Sequence, residues 1–297
     1  MGTKKQHFIP VFYLKNFCDS NGFLNVYNCK SATYYLIKPD NICYNKFLYE
    51  TEWAYPHESS DDELKKYILF NNIEKHFAER ERVFSKTLRK IIGVCCHSEN
   101  KDALVCSSDD KEILSEFAVN LFLRNPLTMK NARIDEIPQK FYDLDIYQET
   151  SQIMNLFQIG DTDSLVRSAI KKNWLDGSMR GSVPDRTKQE LDKLSYSFWV
   201  SKGSHFILSN FPVVYQIDSQ DRLKLFILPL SPACMVVFCE KKFINRNRIY
   251  YVDDYTVGKI NGMILENLDD ISGIIMAQNR HDIEIVLKKE GELNEQT

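Results

Sequence analysis

Two glutamates seven residues apart, Glu74 and Glu81, stand in a stretch whose apolar residues recur at helical spacing. At about 100° per residue they fall within about 20° of each other on a helical wheel. Phe77, Phe84 and Leu88 lie within about 80° on the same side, and Tyr67 and Phe70 line up with them. The solvated face carries Lys75, His76, Glu79 and Arg82 instead, and Ala78 and Ser85 flank the stripe. Two carboxylates bordering an apolar stripe need cations, donors or a metal, because burying them unpaired is costly. A second periodic stretch carries the matching oddity. With Arg124 at zero, Phe117 and Ile113 fall within about 20° and Asn120 about 40° away. Two outcomes are open. Arg124 pairs with Glu74 or Glu81 and locks two helices together, or it lines a pocket and holds an anion such as a phosphate.

The opening stretch "KKQHFIPVFYLKNF" sets a polar cluster directly before large apolar side chains. His7 there is either a satisfied structural residue or, with a carboxylate in reach, a general base or metal ligand. Lys4 and Lys5 add positive potential beside it, or form a solvated terminus. Ser209 and Asn210 precede Pro212, and Ser231 lies between Pro229 and Pro232; both segments read first as turns, and secondarily as sources of hydroxyl and amide groups for a rim. The chain has no Gly-rich phosphate loop, no Gly-x-Ser-x-Gly elbow and no His-Glu-x-x-His, which disfavours the well-known hydrolase and kinase classes.

The elements that must position these residues follow from pattern. Residues 8–14 look like a strand or extended arm. "FLNVYN" and "TYYLIK" read as a hairpin around a "CKSA" turn. "SSDDELKK" starts a helix expected over about 62–92, and "SSDDKEILSEFAVNLFLRNP" starts another that ends before Pro126. "DSLVRSAIKKNWL" is helical and "DGSMRGSVPDRT" is a loop. From about residue 196, "YSFWVSK", "HFILSN", "VVYQI", "LKLFILPL" and "CMVVFC" predict a sheet, antiparallel or mixed. "YTVGKINGMILENLDD" reads as a helix and "SGIIMAQ" as a last strand, with a frayed tail over 289–297. The expectation is one α+β domain over 1–288, with a hairpin and helical part over about 1–195 and a sheet-rich part over about 196–288.

At 43% hydrophobic and 27% charged, the composition is that of a globular chain with ample core. A net charge of −3 gives no global basic footprint for nucleic acid, though a local patch stays open. No apolar run approaches the roughly 18 residues of a membrane span, and no leader precedes the first element, so a cytoplasmic protein is expected. Cys18, Cys29, Cys43, Cys95, Cys96, Cys106, Cys234 and Cys239 include no Cys-x-x-Cys pair and read as reduced thiols rather than zinc ligands.

Several of these residues also carry a resemblance. Gln6, His7, Phe8, Ile9 and Pro10, then Phe12, Tyr13, Leu14, Asn16 and Phe17, follow the opening pattern of the bacterial family "domain of unknown function 4238". Leu48-Tyr49-Glu50, the pair Glu74 and Glu81, Arg124-Asn125-Pro126, Leu228 to Pro232 and Asn261 resemble its further motifs. One departure stands out: the family's Ser-Asp-Asn-Pro is Ser209-Asn210-Phe211-Pro212 here. The resemblance supplies no reaction, but it implies that Gln6, His7, Glu50, Glu74, Glu81 and Arg124 belong to one site. In content that set resembles a phosphodiester-cleaving centre. The expectation is a metal-dependent phosphodiesterase or nuclease acting as an effector or defence protein. Mg²⁺ or Mn²⁺ would sit on Glu50, Glu74 and Glu81. His7, Gln6 and Arg124 would serve catalysis, and Lys5, Asn120, Ser209 and Asn210 would contact a nucleic acid or a phosphorylated small molecule. The alternative is a non-catalytic module for a ligand or protein partner, with a structural Glu/Arg/His network. Geometry separates the two: a metal site gathers carboxylates and His7 around a cavity, whereas a structural network leaves Arg124 saturated.

Overall fold

The computed structural model describes residues 5–46, 48–49, 72–98, 104–157, 161–180, 185–244, 246–268 and 273–294. The chain begins with β1 (Lys5–His7), then a short helix α1 (Val11–Leu14) continued by a 3-10 turn over Lys15–Phe17. β2 (Leu24–Asn28), β3 (Thr33–Ile37) and β4 (Tyr44–Lys46) follow. The helices are α2 (Asn72–His97), α3 (Ser108–Leu123), α4 (Pro126–Asn131), α5 (Asp145–Phe157), α6 (Thr162–Arg180) and α7 (Asp185–Lys193). Next come β5 (Ser195–Ser201), β6 (Leu208–Ser209), β7 (Val214–Ile217), β8 (Leu223–Ser231), β9 (Cys234–Cys239) and β10 (Ile249–Val252). α8 (Asp254–Glu266), β11 (Ile274–Ala277) and α9 (Arg280–Asn294) end the series. The fold is α+β, with long helices in the middle and a mixed sheet in the C-terminal half.

Three sheets form. β1 pairs antiparallel with β4. The order β10-β5-β9-β8-β7 makes a five-stranded sheet, antiparallel except for the parallel β10–β5 pair. The order β3-β2-β11-β6 makes an antiparallel four-stranded sheet. The predicted hairpin is present, with Leu24 opposite Ile37 and Asn28 opposite Thr33.

Strand alternation explains the layering. On β9, Cys234, Val236 and Phe238 join the core that contains Phe84 and Leu88 of α2 and Phe117 and Leu121 of α3. Met235, Val237 and Cys239 join a second core with Val257 and Ile260 of α8, Ile275 of β11 and Ile283 of α9. Successive side chains point to opposite faces, so the central sheet is buried on both sides. That is why these strands read as near-continuous apolar runs.

Some expectations need correction. Residues 8–14 are not an extended arm. The Tyr13 and Leu14 amides donate to the Pro10 carbonyl, and the turn buries Tyr13, Leu14 and Phe17 while leaving Lys15 exposed. Pro10 acts as a helix start, the role its fixed φ suits. α2 runs to His97, past the expected end at Ile92, because Cys95 is still in the core. The "SSDDELKK" start lies outside the described residues. α6 continues to Arg180 through the stretch read as a loop, anchored by fully buried Leu175. β8 is not broken at Pro229; it runs on to Ser231 with a register shift. α9 extends to Asn294, past the point where fraying was expected.

Candidate functional site

α3 is well fixed at its start: Ser107 and Asp110 form a reciprocal capping box. Sixteen residues on, it delivers Arg124 to its C-cap. The Trp174 indole on α6 donates to the Leu123 carbonyl (2.8 Å) and pins that end. Asn125 then caps α4, its Oδ1 accepting from the Leu127 amide (3.0 Å).

Arg124 is 1% exposed. Its Nε donates to the Phe8 carbonyl (3.0 Å) and its Nη2 to the His7 carbonyl (2.8 Å). Its Nη1 donates to Glu81 Oε1 (2.9 Å) and Asn120 Oδ1 (3.2 Å). The guanidinium carbon lies 4.9 Å from the Phe77 ring centroid. The fork therefore ties the opening strand, α2 and α3 together, and the planar five-donor geometry of arginine makes that possible.

The opening strand is locked from its other side. Gln6 is fully buried, and its Oε1 accepts from the Tyr49 amide (2.6 Å). The Tyr49 hydroxyl donates to the His7 carbonyl (2.8 Å), so that oxygen receives both Tyr49 and Arg124. The Tyr49 ring meets Phe77 edge-on at 4.9 Å. The His7 imidazole bonds the Asp40 backbone carbonyl, and its Nε2 is buried with no partner among the described residues. Burial pulls its pKa below the usual histidine value, and the charges of Arg124 and Lys5 act in the same direction. Burial thus favours the neutral ring, against the pull of Asp40.

Gln6, His7, Glu81, Asn120 and Arg124 thus meet in one network. Lys5 stays outside it: exposed, it donates to Asn41 Oδ1 (2.8 Å) and lies over the Tyr44 ring. Ser209 closes a turn, its hydroxyl donating to the Phe211 carbonyl and accepting the Phe211 amide. Asn210 reaches the network's edge, where its backbone carbonyl accepts from Asn125 Nδ2 (2.9 Å). Its Oδ1 accepts from the Ile274 amide (3.3 Å). Glu50 lies outside the described residues, and Glu74 sits in the first turn of α2 with its side chain outside them.

The residues present can be tested against a divalent ion. Among the described residues no group of three His, Cys, Asp or Glu side chains could hold a metal. Glu81 and His7 alone are too few for a hard cation that takes about six oxygen-rich ligands, and Glu81 is already engaged by Arg124.

Sequence reasoning missed the hub role of Tyr49, the anchoring by Trp174, and two clefts beside α4. One, of about 110 Å³, is bordered by Phe8, Asn45, Asn125, Leu127, Asn210 and Phe211. The other, of about 240 Å³, shares Pro126 with it and continues past Met129. The Asn-Pro step after Arg124 was the available signal, since it marks a fresh helix cap where a site can open.

No curated protein and no solved structure matches the chain. The family described as "Protein of unknown function (DUF4238)" matches residues 5–269, from the opening strand to just past α8, and the chain belongs to that family.

Proposed function

We propose that the protein is a ligand-binding module in which the Gln6–Tyr49–Arg124–Glu81 network is structural. One observation carries this reading: the Arg124 guanidinium, 1% exposed, is engaged by two backbone carbonyls, a carboxylate and a carboxamide. An arginine meant for a substrate phosphate keeps donors aimed at a cavity. All eight cysteines are thiols, which supports a cytoplasmic setting. No helix among the described residues is long and apolar enough to cross a membrane.

A metal-dependent phosphodiesterase or nuclease, in an effector or defence role, is the second reading. The buried His7 Nε2, with no partner among the described residues and a pKa lowered by burial, favours it. Thermal unfolding with and without Mn²⁺ or Mg²⁺ separates the two, run on wild type and Glu81→Gln. The binding-module reading expects no metal-induced shift in either protein. A rise in wild type that vanishes in a folded Glu81→Gln protein puts a metal at the glutamates and overturns it.

A further inference from the structure

α5 carries more apolar surface than its own packing uses. Its inner face is accounted for: Met154 is buried, and the Thr162 hydroxyl donates to Met154 Sδ (3.7 Å). The Tyr142 and Tyr147 hydroxyls donate to the Asp163 carboxylate at the start of α6, which ties that side of the helix down. On a helical wheel with Ile146 at zero, Met154 and Tyr147 lie about 80–100° to one side. Ile153 and Phe157 lie within about 20° of Ile146, and Leu156 lies about 80° to the other side. These four stand apart from the inner face. Ile146, Ile153, Leu156 and Phe157 are 68%, 53%, 76% and 66% exposed.

Together the four show on the order of 500 Å² to solvent, as much as the largest apolar patch on a typical monomer. A non-obligate protein interface takes about 800 Å² from each partner, a little over half of it apolar. The stripe therefore supplies the apolar share of one standard interface. Charge narrows the occupant. Residues 143–157 contain Asp143, Asp145 and Glu149 and no Lys or Arg. A helix that lies on an anionic lipid surface carries basic flanks instead. The acids all stand in or before the first half of the helix, and the second half, from Thr150 to Phe157, is uncharged. Such a helix is complementary to its own copy run in reverse. With Ile146 opposite the partner's Phe157, the two Asp145 carboxylates stand about 20 Å apart along the axis, beyond the screening length of about 8 Å. A parallel pairing would set Asp145 and Glu149 beside their own images.

We propose that α5 is the interface of a homodimer, in which two copies pair this stripe antiparallel across a two-fold axis. Each copy buries the same four side chains, so every substitution in the stripe counts twice.

The test is sedimentation velocity of the full chain from about 1 to 100 µM. Wild type is expected to move from monomer to dimer over that range. Ile146→Glu with Ile153→Glu weakens the dimer by about a hundredfold or more while leaving the far-ultraviolet circular dichroism unchanged. If that pair of changes unfolds the chain, Leu156→Glu alone, at the most exposed position of the stripe, replaces it and is expected to weaken the dimer by about tenfold. Leu36→Glu, at an exposed position of β3, leaves the dimer intact. Asp145→Asn changes the dissociation constant by no more than about twofold, because its image is far away. A wild type that stays monomeric at about 100 µM overturns the proposal. So does a dimer that survives the α5 substitutions in a folded chain, or one that Leu36→Glu dissolves. A several-fold tightening by Asp145→Asn overturns the antiparallel arrangement.

Discussion

Replacing Arg124 by Met separates the two jobs of the guanidinium. The change keeps an apolar stem of similar length and removes the fork. The carbonyls of His7 and Phe8 and the carboxamide of Asn120 then lose a donor in buried surroundings. Each such loss costs about 1–3 kcal/mol. The His7 carbonyl keeps its bond from Tyr49, which puts it at the low end. Loss of the cation over Phe77 adds about 0.5–2 kcal/mol. Glu81, with a side chain 26% exposed, turns to water and adds little. The net expectation is on the order of 4–7 kcal/mol, a large share of the roughly 5–15 kcal/mol that holds a typical protein folded. Glu81→Gln removes only the charge and keeps an acceptor, and should cost about 1 kcal/mol. Urea unfolding of both variants, followed by tryptophan fluorescence, to which Trp174 beside the network contributes, measures the difference. If Arg124→Met does not fold, Arg124→Lys takes its place and falls between the two values. Equal losses at positions 124 and 81, or a loss below about 1 kcal/mol at 124, refute the claim that backbone carbonyls are the main partners of the arginine.

Further outcomes follow from the same contacts. The depressed pKa of His7 means that the unfolded chain binds its proton first as pH falls. Stability from this residue is therefore full above the ordinary histidine value of about 6.5 and declines as pH falls through the lowered folded value; melting temperature against pH should slope less in His7→Gln between pH 7 and 5. Tyr49→Phe removes the bond to the His7 carbonyl and should cost about 1 kcal/mol, measured by chemical unfolding, while the Phe77 ring contact survives. Asn247→Ala should cost about 3–5 kcal/mol. That side chain accepts from the Val105 and Cys106 amides and donates to the Cys106 carbonyl, at a backbone φ of 57° that Asn tolerates better than Ala. The loss should appear as an earlier urea midpoint.

The parts of this architecture governed by local rules were readable in the sequence. The hairpin showed in its alternation, and α3 in its capping serine and acidic first turn. The wheel placed Arg124 and Glu81 on apolar faces, which is where they meet. The partners of Arg124 were a different matter. Two of them are backbone carbonyls more than a hundred residues away, and a carbonyl has no residue-type signature. Tyr49 was hidden for the same reason, since it acts through its own amide and on a main-chain oxygen. The opening segment was misread because aromatic side chains suit a strand as well as a tight helical turn, and Pro10 decides between them only once its carbonyl has amides to accept. The clefts beside α4 draw on five distant stretches, around Phe8, Asn45, Asn125, Lys171 and Asn210, so no window of sequence contains them.

The four-stranded sheet has a consequence for biosynthesis. β2 finds one neighbour at once in β3, but its other edge waits for β11. Some 240 residues separate the end of the hairpin from the end of that strand, which at roughly 5–20 residues per second is about 12–48 s of translation. Throughout that interval the emerging chain carries an open strand edge with Val26 and Tyr27 on it. An edge left open that long is a site for pairing with other chains, so slower translation should prolong the nascent chain's exposure to aggregation.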